Sequence, residues 1–230
     1  MHIPDNYLSP STCAAVAAAT VPVWTHSVKR IKAEIPKEKM ALLGVGAAFS
    51  FVAMMFNIPM PGGTTGHAVG GTLIALLLGP ESACIAITIA LLIQALIFGD
   101  GGILAFGAAE VIFTVALYTY ISKTSPALLD IRIPEGSVSA KQFPLYALLA
   151  ILIAATPLGL IASGTAWGEW EISEIPTMTE SFSWSSLLPD YSLEGLPDIF
   201  AYILSAVLGV LISITIFRFI AARMKKRNNS

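Results

Sequence analysis

The residues with the clearest chemical potential are the first two, Met1 and His2. The Met1 α-amine and the His2 amide nitrogen close a five-membered ring on a metal ion, and that amide with His2 Nδ1 closes a six-membered one. Three nitrogens then lie close to one plane. A fourth in-plane donor completes the tetragonal nitrogen set that suits Ni(II) or Cu(II). The chain has 3 histidines, so His26 and His67 are the remaining imidazole donors. Which of them meets the chelate depends on the elements that carry each one.

Those elements belong to a membrane protein. Of 230 residues, 55% are hydrophobic and 12% charged, and the mean hydropathy is +0.75, whereas about a quarter of the residues in a soluble domain carry charge. Between Met40 and Pro80 there is no Asp, Glu, Lys or Arg, a stretch longer than the roughly 20 residues of one membrane span. The fold class expected is an all-α, polytopic transmembrane bundle. Apolar runs bounded by charge, Gly or Pro predict about seven helices, at 11–28, 40–57, 66–79, 82–98, 102–121, 143–162 and 199–220. The short third run follows Asn57-Ile-Pro-Met-Pro-Gly-Gly-Thr-Thr-Gly66, where prolines and glycines interrupt any regular helix. Irregular backbone at membrane depth is tolerated where it is buried in protein or lines a polar cavity. The segment therefore marks a site.

Seven spans place every Lys and Arg, at 29–39, 123–141 and 218–227, on one side, and the acidic segment 163–198 on the other. The positive-inside rule makes the basic side cytoplasmic, with the N-terminus outside and the C-terminus inside. The first ten residues hold no Lys or Arg and do not form a secretory signal. His2 is not a small second residue, so Met1 is expected to stay. On this topology His26, beside Lys29 and Arg30, sits at the cytoplasmic interface, whereas His67 lies on the same side as Met1. Met1, His2 and His67 are accordingly the candidate metal ligands.

Other features are weaker. Residues 1–10 are short and apolar enough to fold inward as a plug, with Pro4 fixing the path and Asp5 available to hydrogen-bond an imidazole. Gln94, Asp100 and Glu110 are polar groups in or beside spans, with nothing in the sequence aiming them at a metal. Cys13 and Cys84 lie in apolar runs and read as free, buried thiols. Ala14/Ala18 and Ala15/Ala19 place small residues four apart on the first helix, a spacing that permits close helix contact, either with a partner or within the bundle. Gly44, Ala48 and Gly70 fit similar packing. There is no His-Glu-x-x-His and no G-x-x-x-x-G-K-[S/T], so neither a zinc protease nor a P-loop ATPase is encoded.

Met-His-Ile-Pro-Asp at the start, Pro-Gly-Gly-Thr-Thr-Gly-His-Ala-Val-Gly-Gly at 61–71 and the long uncharged helices resemble the nickel/cobalt substrate-binding (S) component of energy-coupling factor transporters, the CbiM/NikM family. The likeness covers roughly residues 1–140. The remainder, 141–230, with Ala162-Ser-Gly-Thr-Ala-Trp-Gly-Glu-Trp170 and Leu193-Glu-Gly-Leu-Pro-Asp198, looks like the accessory N-type subunit, fused here and carrying two further spans around the acidic outer loop. The resemblance implies the ligand set Met1, His2 and His67, with Ni²⁺ as bound substrate and Co²⁺ as the alternative. It also implies two kinds of partner, a transmembrane coupling (T) protein and cytoplasmic ATP-binding cassette subunits, with Ala14 and Ala18 on the surface facing the coupling protein. Where the family has Gly after Pro-Asp, this chain has Asn6, a residue that tolerates positive φ.

The function expected is therefore capture of Ni²⁺ outside a prokaryotic cytoplasmic membrane for ATP-driven uptake, by a multi-pass component that is not itself an enzyme. Its surroundings are the lipid bilayer, and no nucleic acid is implied. Copper fits the same planar geometry, and the family resemblance sets it aside. A stand-alone secondary permease or channel for divalent metals, lined by Glu110 and the acidic loop, is the rival reading. An integral membrane enzyme lacks any nucleophile–base arrangement in the sequence.

Overall fold

The structure is a computed structural model that describes residues 10–35, 37–61, 64–99, 103–127, 142–162 and 186–227. Seven α-helices occur among them. These are α1 (Pro10–Glu34), α2 (Lys37–Met54), α3 (Gly71–Leu78), α4 (Pro80–Ile93), α5 (Ile103–Thr124), α6 (Gln142–Ala155) and α7 (Asp198–Arg227). A two-stranded antiparallel hairpin, β1 (Ile58–Met60) and β2 (Thr64–Gly66), separates α2 from α3. Among the described residues, three stretches are long and apolar enough to cross a membrane: Pro80–Phe98, Pro144–Ile161 and Asp198–Arg223. Large apolar side chains cover the outside, among them Ile112, Phe113, Ile151 and Ile161, a surface suited to lipid rather than water.

Helix boundaries follow from local chemistry. Pro10 opens α1, where its missing N–H costs nothing. Ile35 closes the helix because a residue before proline, here Pro36, disfavours helical backbone. Inside α1, Pro22 removes one backbone donor, and Thr20 and Thr25 donate their hydroxyls to the Val16 and Val21 carbonyls at 2.7 and 2.8 Å. The helix runs on past the expected residue 28 to Glu34, and its added turns carry Lys29, Arg30 and Lys32 on stems long enough to reach a polar boundary.

Helix α2 is apolar all round and occupies the centre of the bundle. Leu43, Ala47, Ala48, Phe51 and Val52 are fully buried on it. Its principal neighbour is α7, and glycines on both helices permit the approach. A Cβ on Gly44 would lie 3.1 Å from Phe217 Cβ and 3.3 Å from Ile214 Cα, and one on Gly209 would overlap the Phe51 ring. Ala206, Val210 and Phe217 of α7 join residues of α2 and α4 in the hydrophobic core, so helices from both sides of residue 140 share it.

The third expected helix is shorter than the apolar run that announced it. α3 has 8 residues, which at 1.5 Å per residue reach about 12 Å, less than half of a bilayer core. It starts after Gly70 (φ +76°) and stops at Gly79 (φ +93°, ψ 156°). The second conformation is in practice open only to glycine. The preceding segment does not continue the helix, because its prolines block helical backbone, and residues 58–60 pair with 64–66 instead.

Substitutions at two glycines separate close contact from ordinary packing. Gly209→Ala drives a methyl group into the buried Phe51 ring and is expected to destabilise by about 1–3 kcal/mol. Gly46→Ala meets Ile74 side-chain carbons at 3.5–3.8 Å, and is expected to be neutral or stabilising by up to about 1 kcal/mol. Thermal unfolding in detergent micelles reads the contrast; equal melting of the two variants would contradict the α2–α7 approach.

Candidate metal site

Contacts along α1 and α4 define the two ends of the bundle. The helices run antiparallel, since Trp24 Nε1 donates to Thr88 Oγ1 at 3.0 Å while His26 Nε2 and Arg30 Nε each lie 3.9 Å from Glu81 Oε1. The C-terminal end of α1 therefore meets the start of α4. Lys39 at the start of α2 joins Arg30 and Glu81 around a cavity of about 370 Å³ at this end. Mixed charge lines this cavity, and His67 is not among the described residues around it.

The opposite end gathers the start of α1, the exit of α2 and the far end of α4. Met54 at the end of α2 and Met55 just after it pack in one core cluster with Phe98, five residues beyond the end of α4. The hairpin emerges here, and His67 is the residue directly after β2. His67 thus sits at the end where α1 begins, and His26 at the end where α1 finishes. Met1 and His2 lie outside the described residues, as do Pro4, Asp5 and Asp100.

Several contacts fix the backbone around His67. Ser50, fully buried on α2, donates its hydroxyl to the Val69 carbonyl at 2.8 Å. Gly70 adopts φ +76°, and a Cβ there would approach Phe49 Cε1 to 2.6 Å, so α2 and the segment after His67 touch closely. Thr65, in β2, is 2% exposed. His67 Nδ1 is a buried atom.

Just outside the same hairpin lies a residue that the sequence did not single out. Ile58 pairs with Gly66 and Met60 with Thr64, so Asn57 and His67 are the residues directly outside the paired strands. Asn57 Oδ1 is buried and accepts no hydrogen bond among the described residues. Two contacts from far along the chain hold the turn that carries it. Tyr202 on α7 donates its hydroxyl to the Met55 carbonyl at 2.9 Å, and Gly159, after α6, packs so closely that a Cβ would overlap Met55 O and lie 3.2 Å from Asn57 N. A polar residue ending an apolar helix was the available signal for Asn57; nothing local marked Gly159 or Tyr202.

Gln94 occupies this same end. It is fully buried and begins a π-helical turn, Gln94–Phe98, that ends α4, a local widening often found at functional sites. Its Nε2 donates to the Tyr191 hydroxyl at 3.2 Å, and Tyr191 stacks on Phe98 with ring centroids 4.8 Å apart. Tyr191 holds φ +58°, unusual for an aromatic residue, and Ser205 on α7 donates to its carbonyl at 3.2 Å. The end of the acidic segment is clasped onto α4 in this way.

The remaining candidates divide clearly. His26 is largely exposed, with 66% of its side chain accessible. Glu110 falls within α5, and its side chain lies outside the described residues. Cys84 is a free, buried thiol as expected, and the side chain of Cys13 is not among those described. Ala14, Ala15, Ala18 and Ala19 are exposed on α1, so this small-residue face is not consumed by packing among the described residues.

Comparison with known proteins adds a family to this geometry. A family model described as "Cobalt uptake substrate-specific transmembrane region" matches residues 2–227. The "Probable fused nickel transport protein LarMN" of Lactiplantibacillus plantarum is 34% identical, over 95% of this chain and 97% of that protein. The "Fused nickel transport protein NikMN" of Rhodobacter capsulatus is 31% identical, over 91% of this chain and 94% of that protein. A putative metal transport protein of Methanocaldococcus jannaschii is 57% identical, over 47% of this chain and 49% of its own length.

The backbone after His67 generates a prediction of its own. Gly70→Ala forces a side chain into left-handed backbone and against Phe49, at an expected cost of about 1–3 kcal/mol. Hydrogen exchange at residues 67–72 should accelerate more than exchange in α7. Uniform acceleration across the chain would contradict a local role.

Proposed function

The chain belongs to the family of cobalt uptake substrate-specific transmembrane proteins, members of membrane systems that transport cobalt or nickel, and on that premise we propose that it captures Ni²⁺, with Co²⁺ as the alternative, for ATP-driven uptake. The ligands in this reading are the Met1 amine, the His2 amide and Nδ1, and His67 Nε2. One observation supports it: His67 directly follows a braced hairpin at the end of the bundle where α1 begins.

The chemistry follows from the donor set. Four nitrogens in a plane, one a deprotonated amide, suit the tetragonal preference of Ni(II). The segment leading into α1 closes over the ion, so the first residue acts as a ligand. His26 takes no part, because it lies at the other end beside Glu81 and Arg30.

The bundle ends fit a multi-pass orientation with Met1 and His67 outside and the Lys/Arg-rich end facing the cytoplasm. In this orientation the hairpin and α3 together make the crossing that α3 is too short to make alone. The protein sits in the cytoplasmic membrane of a prokaryote and carries no P-loop of its own. It works with a transmembrane coupling protein and cytoplasmic ATP-binding cassette subunits. The exposed small-residue face of α1 is suited to close contact with the coupling protein. Residues 1–140 form the metal-binding component and 141–230 a fused accessory segment, which braces the hairpin through Gly159 and Tyr202.

Nickel titration of the purified chain tests the site. One extra residue before Met1 converts the amine to an amide and is expected to abolish tight binding, as is His67→Ala, while His26→Ala leaves it unchanged. Normal affinity in the first two variants would sink the ligand assignment. Binding releases protons from the amine, amide and imidazoles, so affinity is expected to rise from about pH 5 to pH 8, the interval holding the His and α-amine reference values. A flat profile would speak against these ligands. Uptake into vesicles by the isolated chain, without ATPase subunits, would favour the stand-alone permease.

A further inference from the structure

We infer that two adjoining spaces at the end of α3 form a binding site for an anionic phospholipid, with the phosphodiester beside Arg30 and Lys39 and one acyl chain in an apolar groove. The inference uses the membrane character of the chain and does not depend on the metal ligands. The first space is the cavity of about 370 Å³ at the end of the bundle where α1 finishes. Arg30 of α1, Lys39 of α2, Glu81 of α4 and Tyr118 of α5 bring charged and hydroxyl groups to it. Two cations against one carboxylate leave a net positive charge of one, which matches the single negative charge of a phosphodiester.

The carboxylate is engaged elsewhere. Glu81 Oε1 stands 3.9 Å from both His26 Nε2 and Arg30 Nε, so its charge is directed to α1, whereas Lys39 on α2 forms no ion pair among the described residues. The first turn of α4 borders the same cavity, and its N-cap, Gly79, has no side chain to satisfy the leading amides. Those amides add partial positive charge to what the two side chains supply.

The second space is a groove of about 130 Å³ between α2, α3 and α6, lined by apolar residues that include Val45, Phe49, Leu73 and Leu148. Leu73 and Leu148 are 48% and 46% exposed, so the groove opens on the outer surface of the bundle, where lipid lies. Leu77 and Leu78 line both spaces, and groove and cavity therefore adjoin at the last turn of α3. Cationic groups next to a hydrocarbon-lined channel follow the order of a phospholipid, and basic pockets between membrane helices recognise anionic headgroups in this way. A free anion makes no use of the groove. An α-helix about 10 Å across is too thick for a groove of this volume, whereas a hydrocarbon chain is not.

Native mass spectrometry of the purified full chain, in detergent micelles supplied with phosphatidylglycerol or phosphatidylcholine, tests the site. The chain is expected to retain phosphatidylglycerol in preference. Lys39→Gln should lower that retention roughly fivefold, and Lys39→Arg should keep it. Leu148→Trp, which fills the groove from its exposed side, should also lower retention. Lys32→Gln removes an exposed cation of the same end that does not line the cavity, and should leave retention unchanged. Equal retention of the two lipids, or equal loss in Lys39→Gln and Lys32→Gln, would overturn the inference, because the attraction would then be general to the basic end. Displacement of the lipid by excess inorganic phosphate would overturn it in favour of a free anion. Retention unmoved by Leu148→Trp would take the acyl chain out of the groove and leave this face to a protein partner, which also overturns it.

Discussion

The contact on which the rest of the structure depends is the close approach of α2 and α7. Gly44 and Gly209 remove the side chains that would hold these helices apart, and Phe51 and Phe217 fill the space around them. In an apolar solvent, burial of hydrophobic surface gives helices little reason to associate. Close packing and hydrogen bonds must do it instead. Once α7 lies along α2, Tyr202 reaches the end of α2 and Ser205 reaches the Tyr191 carbonyl. Irregular backbone can then leave α2 without stranding its polar groups.

That arrangement explains why a hairpin with prolines and glycines can present a histidine in a fixed place. Short two-stranded hairpins are weak on their own, and this one pairs over three residues per strand. Its rigidity is borrowed. Ser50 ties Val69 to α2, Phe49 closes against Gly70, and the Met55–Asn57 turn is held between α6 and α7. Residues from both sides of position 140 therefore bear on the turn that leads into the hairpin.

Much of this was legible in the sequence. Uninterrupted apolar runs announced the helices, because only a backbone satisfied within its own segment can cross a bilayer. The packing role of Gly44 and Ala48 and the buried thiol of Cys84 were likewise readable from residue size and setting. What escaped was long-range. The 58–66 segment read as irregular, since prolines and glycines say where a helix cannot continue but not which strands pair. The length of α3 was overestimated because Gly70 and Gly79 look like ordinary small residues until their positive φ is known. Gly159, Tyr191 and Tyr202 carried no local signal; their roles come from neighbours distant in the chain. For the candidate site, the irregular segment before His67 was readable as a marker, whereas the strand pairing within it needed the hairpin register.

The bundle thus carries a histidine after a hairpin at one end and a cavity of mixed charge at the other. The most direct test of the central claim is nickel K-edge X-ray absorption on the loaded chain. The account predicts the edge of a planar four-coordinate ion with a shell of nitrogens, at least two of them from imidazole. A six-coordinate, oxygen-rich shell, or a sulfur ligand, would contradict it.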